Sequence, residues 1–170
     1  ARKFTFEKLL PFLVENNSYA EFRVSLNAIQ HNYQYFRSII SPNTGIIAMV
    51  KAFAYGSGAE DISSFLEQLG ADYLGVAFSH EGLALRKANI TSPIMVMSPH
   101  LSSLEMCIKY NLEPEIYSFQ ALEQMIQVID EYSFLTKLPF PIHIKLDTGM
   151  HRLGFMPEDY DKLSNRLKQV

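Results

Sequence analysis

From about residue 44 onward the chain repeats one unit five times: a short apolar run, a turn, then a stretch with apolar residues at helical spacing. The strand-like runs fall at residues 45–51, 73–78, 93–97, 113–117 (the weakest of the five) and 141–147, and the helical stretches at 59–69, 81–87, 102–110, 119–130 and 157–169. Continuous apolar runs, as opposed to alternating ones, are the pattern of strands covered on both faces. Each return to a parallel neighbour requires a crossover, so this rhythm predicts an α/β architecture built on a parallel sheet. A doubly wound open sheet and a (β/α)₈ barrel share the rhythm, and periodicity does not separate them.

The preamble differs in kind. Residues 19–26 alternate apolar and polar positions, as a strand with one wet face does. Asn27 is placed to cap a helix over 28–39. Residues 1–18 read as an N-terminal extension, with a short linker near residues 15–18, and residues 19–170 as the α/β unit.

Charge and composition exclude several classes of function. A net charge of -3 offers no electrostatic footprint for nucleic acid. No apolar run approaches the roughly 18–20 residues that cross a bilayer, so no membrane partner is expected. The first fifteen residues include Glu7 and Glu15 and lack a small-residue cleavage site, so they do not read as a signal peptide and a cytoplasmic location is the default. The single cysteine, Cys107, lies in a helix-like run and reads as a buried structural thiol. His31, His80, His100, His143 and His151 show no metal-ligand spacing. Glu105, Glu113 and Glu115 show no pairing suited to two-carboxylate acid–base work.

Two stretches carry chemistry. Lys51 ends the first apolar run and is followed by Ala52-Phe53-Ala54-Tyr55-Gly56-Ser57-Gly58. Ligands bind at the C-terminal ends of parallel strands, and a lysine emerging there from an apolar run presents a nucleophilic amine suited to an aldehyde cofactor. Gly56 and Gly58 allow close backbone approach to a phosphate, with a helix N-terminus behind them, and Tyr55 adds a phenol. The plainer reading, in which Lys51 reaches solvent and the glycines only turn the chain, stands beside it. In the second stretch, Lys145 and Asp147 share a strand face, and Arg152 follows in a loop flanked by Gly149 and Gly154. Its planar fork suits an anionic ring oxygen or a carboxylate, and a solvated Lys–Asp–Arg rim is the alternative.

Taken together, V-K-A-x-A-Y-G-x-G and, about ninety residues later, K-x-D-T-G-M-x-R-L-G resemble the alanine racemase family closely. Residues 19–32 resemble that family's opening strand and helix, and residues 82–88 resemble the segment after its second strand. Phe53 and Ser57 depart from the family pattern within the first motif. The resemblance implies an N-terminal (β/α)₈ barrel, of which this chain supplies about five of the eight strand–helix units. It also implies pyridoxal 5′-phosphate as cofactor, a homodimer, and interconversion of L- and D-alanine for peptidoglycan synthesis. Lys51 would carry the cofactor as an imine and act as base on one face of the substrate. Tyr55 would contact the cofactor phosphate, Arg152 the phenolic ring oxygen, and Lys145 would bear a carbamate that positions Arg152. The second base, a tyrosine of the family's C-terminal domain, is not assignable here. Residues 1–7 resemble the closing segment of a Mur ligase, a domain fused upstream of the racemase in some bacteria. Another barrel-type racemase, for example one acting on serine, and a non-catalytic cofactor-binding module are the rival readings.

Overall fold

The computed structural model describes residues 2–5, 21–135 and 138–169. A separate antiparallel ribbon pairs β1 (Arg2–Thr5) with β2 (Glu21–Val24). The linker expected at 15–18, and most of the expected extension, lie outside the described residues. Helix α1 (Leu26–Ile39) follows, and its cap is Ser25, not Asn27: Ser25 Oγ accepts the N–H of Ala28 at 3.3 Å while Ser25 itself stays extended.

The main body is a five-stranded parallel sheet of β3 (Ile47–Met49), β4 (Tyr73–Val76), β5 (Ile94–Val96), β6 (Glu113–Ile116) and β7 (His143–Ile144). The helices between and after them are α2 (Ala59–Gln68), α3 (Ser79–Lys87), α4 (Leu104–Lys109), α5 (Phe119–Glu131) and α6 (Tyr160–Leu167). Strand order in space is strand order in sequence and never reverses. Right-handed crossovers between successive neighbours then place every helix on the same face. That excludes the doubly wound alternative, which needs a reversal, and defines an arc of a singly wound (β/α)₈ barrel.

Side-chain alternation sorts the two faces. Leu74, Val76, Ile94, Val96 and Ile116 point outward and are essentially inaccessible, packed with Ile62, Leu66 and Leu85 on one side and Leu122 and Met125 on the other. Met49, Tyr73, Gly75, Met95, Glu113, Glu115, His143 and Lys145 occupy the opposite, inner face by the period-two rule. Glycine at 75 has a packing reason: a Cβ there would stand 2.6 Å from Met49 Sδ.

The inner face is concave. The rings of Tyr73 on β4 and His143 on β7 meet edge to face with centroids 5.8 Å apart. Three strand spacings of about 4.8 Å would separate them by about 14 Å on a flat sheet, so the sheet must curl for these side chains to converge. Burial and a hydrogen bond to the Glu113 carboxylate push the Tyr73 phenol above its ordinary pKa. Among the described residues no helix is long and apolar enough to cross a membrane.

Candidate active site

Lys51 lies one residue beyond the last β3–β4 hydrogen bond, which runs from Val50 N–H to Gly75 O at 2.9 Å. The strand does not continue through Lys51 as its apolar run suggests. Ala52, Phe53, Ala54 and Tyr55 all take positive φ, between 51° and 57°, and form a left-handed turn. For residues with a Cβ this handedness costs roughly 1–2 kcal/mol each. Tertiary contacts offset it: Ala54 is buried, and Glu81 at the start of α3 reaches back across the strand ends. Glu81 Oε1 accepts the N–H of Ala52 at 2.8 Å, and Oε2 accepts those of Ala77 and Phe78 at 2.7 and 3.1 Å. The residue directly after Lys51 is thereby tied to the end of β4.

The glycines serve the turn, not a phosphate cradle. Gly56 continues it with φ of 87°, a conformation that few side-chain-bearing residues adopt. The N–H groups of Gly56, Ser57 and Gly58 donate back into the turn, to Ala52 or Phe53, Ala54 and Phe53 respectively. Glu60 and Asp61 occupy the first turn of α2 and oppose an anion at that helix start. Anion-binding capacity in this segment therefore rests on side chains, with Tyr55 65% exposed.

The second element is a loop that returns to the strand it leaves. Asp147 N–H donates to Phe155 O and Phe155 N–H donates to Lys145 O, both at 2.9 Å, closing the neck of the loop beside β7. Gly154 is required there: a Cβ would stand 2.6 Å from Asp147 N and 2.8 Å from Leu146 C, where backbone cannot yield. Inside the loop, Asp147 Oδ1 accepts the N–H groups of Gly149 and His151 at 2.9 and 3.0 Å, and His151 Nδ1 lies 3.2 Å from Oδ2. These backbone hydrogen bonds hold the Asp147 carboxyl below its ordinary pKa. A depressed folded-state pKa contributes stability above the unfolded value and loses it as pH falls through the folded one. The Gly149 and His151 amides are accordingly expected to stay protected from hydrogen exchange at neutral pH. That protection should be lost only in acid, below about pH 4, and at all pH values in Asp147→Ala. Protection that persists in the variant would show that the carboxylate does not hold the loop.

Lys51 and Tyr55 thus share one turn, and Lys145 and Arg152 share one loop. Among the described residues no hydrogen bond or ion pair joins any two of the four. Arg152 is exposed, while Asp147 spends its carboxylate on the loop backbone. The two groups sit at the C-terminal ends of the first and fifth strands of the sheet, positions diametrically opposed in an eight-stranded closure. An amine at one wall and a guanidinium at the other, with a phenol beside the amine, form a donor set that fits an anionic aromatic aldehyde such as pyridoxal phosphate.

Three acidic residues escape a reading of the sequence. Glu81 looks like an ordinary first-turn helix acid. Glu113 and Glu115 have no carboxylate partner, but the register of β6 against β7 gives each a basic one: Glu113 Oε2 lies 2.8 Å from His143 Nε2, and Glu115 Oε2 lies 2.7 Å from Lys145 Nζ. The i, i+2 spacing of Glu113 with Glu115 and of His143 with Lys145 is the signal that could have revealed this ladder. Cys107 is fully buried, and burial pushes its thiol up to about 11, as suits a structural thiol and not a nucleophile.

The fold and site define a partial (β/α)₈ barrel that presents a lysine and an arginine at its C-terminal rim. The family described as "Alanine racemase, N-terminal domain" matches residues 24–170, and the chain belongs to it. An alanine racemase of Clostridium tetani is 40% identical over 143 residues, 82% of this chain and 36% of that protein. A serine/alanine racemase of Enterococcus gallinarum is 39% identical over 136 residues, 78% of this chain and 18% of that protein. Among solved structures, the alanine racemase from E. faecalis superposes with a TM-score of 0.74 at 30% identity, over 86% of this chain and 39% of that one. The chain thus spans under two fifths of the length of these relatives.

Proposed function

We propose that this chain is the cofactor-holding part of a pyridoxal-phosphate-dependent racemase that interconverts L- and D-alanine and supplies D-alanine for the cell wall. The observation that carries the reading is Lys51, set at the C-terminal end of the first barrel strand by a left-handed turn tied to Glu81. When bound, the cofactor supplies an electron sink that stabilises negative charge at the substrate Cα. Lys51 would hold it covalently through Nζ, and the same amine, once freed, would take a proton from one face of Cα in one direction of the reaction and deliver one to that face in the other. Tyr55 would donate its phenolic hydrogen to the phosphate, and Arg152 its guanidinium hydrogens to the ring oxygen. Proton exchange on the opposite face needs a base from outside this arc. Among the described residues the outer edges of β3 and β7 have no strand partner, so further strands would complete the concave sheet, and we assign the protein to a homodimer in the cytoplasm on the same family reading.

The likeness to the serine/alanine racemase favours serine as a second substrate. In deuterated water, the full-length enzyme supplied with cofactor is expected to convert L-alanine to D-alanine carrying deuterium at Cα. Alanine should turn over at least about tenfold faster than serine, the scale of discrimination that a pocket built for one small side chain gives. Faster turnover of serine would establish the second reading, and D-alanine without solvent deuterium would exclude a proton-exchange mechanism.

A further inference from the structure

Tyr73 on β4, Glu113 on β6 and His143 on β7 each stand first in their strand and share the inner face of the sheet. Their side chains form one connected group. The Tyr73 hydroxyl donates to the Glu113 carboxylate. Glu113 Oε2 lies 2.8 Å from His143 Nε2, and the Tyr73 and His143 rings meet edge to face. An ionised carboxylate has no hydrogen to give, so the imidazole nitrogen facing it is the donor. The group reaches over β5, which contributes none of the three.

Glu113 is well withdrawn from water, with 13% of its side chain exposed. A shielded carboxylate holds its place only while donors fill its acceptor sites. Here the donors come from opposite sides: His143 from the adjacent strand β7, and Tyr73 from β4, two strands away. On a flat sheet β4 and β6 would stand about 10 Å apart. Flattening would draw the phenol away and leave both hydroxyl and carboxylate short of partners. Hydrogen bonds linked through one acceptor strengthen each other, so loss of one weakens the other.

We propose that Tyr73, Glu113 and His143 form a clasp that holds the strands from β4 to β7 at a fixed curvature, so that the arc keeps its barrel-like curl through its own side chains. The clasp lies at the strand starts, the end of the sheet opposite Lys51 and Arg152. Neither cofactor nor substrate enters it, so its failure would leave the racemase reading untouched.

The full-length protein, labelled with ¹³C at the tyrosine ring carbon that bears the hydroxyl, reads the clasp directly, and Tyr73→Phe assigns the resonance. Tyr73 is expected to titrate above the ordinary tyrosine range. It should move back toward that range in Glu113→Gln, which keeps the side chain's size and removes its charge. Tyr73→Phe keeps the ring beside His143 and removes only the hydroxyl. Hydrogen exchange over residues 113–116 and 143–145 should then quicken by about fivefold, the scale of one lost hydrogen bond. Residues 47–50, outside the clasp, should exchange as before. The double variant should unfold no earlier than the worse of the two single ones, because either change undoes the same group. Equal quickening over residues 47–50, fully additive losses, or a Tyr73 resonance indifferent to Glu113→Gln would overturn the proposal. Should Glu113→Gln fail to fold, Tyr73→Phe still decides: unchanged exchange at β6 and β7 in that variant would overturn it.

Discussion

Lys51→Ala in the full-length protein is expected to lower alanine racemisation by about three to four orders of magnitude, since one substitution removes both the covalent anchor and a general base. The fold should survive. Lys51 makes no hydrogen bond or ion pair among the described residues, and the turn after it is held by Glu81 and Ala54, not by the lysine side chain. A polarimetric assay reads the loss of turnover. Borohydride reduction of the cofactor-loaded parent, followed by peptide mass analysis, reads the attachment point, which should be Lys51 and should be vacant in the variant. Label at Lys145 would show that the anchor has been misplaced, and an unchanged rate in Lys51→Ala would remove Lys51 from the catalytic machinery.

Glu81→Ala should be nearly as informative, because it tests how the lysine is presented and not the lysine itself. Three N–H groups lose a charged acceptor, and such hydrogen bonds are worth about 1.5–3 kcal/mol each when well shielded. Partial solvent access here brings the sum to about 2–3 kcal/mol. The unfolding midpoint should therefore drop by several degrees. The left-handed turn loses the contact that holds Ala52, and a displacement of Lys51 near 1 Å costs on the order of a hundredfold in turnover. Glu81→Gln keeps one acceptor but turns an amide N–H toward a backbone N–H, so it should recover little. A variant that unfolds earlier yet keeps full kcat would reduce Glu81 to a stabilising residue with no part in placing Lys51.

The fold was legible in the sequence to the level of its repeating unit, because the strand–helix rhythm is written in local hydrophobic spacing. The choice between a doubly wound sheet and a barrel was not, since it depends on strand order in space, and only the uninterrupted succession from β3 to β7 decides it. The motifs that hold Lys51 and Arg152 stand out in the sequence because each is contiguous, and the structure sets them at the ends of the first and fifth strands of the sheet. The left-handed turn was hidden: alanine and phenylalanine prefer right-handed conformations, and the preference is overturned by Glu81, twenty-nine residues away from Ala52. The Glu115–Lys145 pair was hidden for a related reason, since it follows from strand register across thirty residues. Ser25 took the capping role expected of Asn27 because the helix begins two residues earlier than its hydrophobic spacing suggests.

The loop bearing Arg152 is closed at its neck by its own backbone, through Lys145, Asp147 and Phe155, with Gly154 seated against that neck. A segment anchored in this way is a cassette: its interior can change in length or composition while the strand beneath keeps its pairing. Residues 148–151 and 153 are therefore the natural place to graft loop sequence from family members when altering what the site admits, provided that Asp147, Arg152 and Gly154 are carried unchanged.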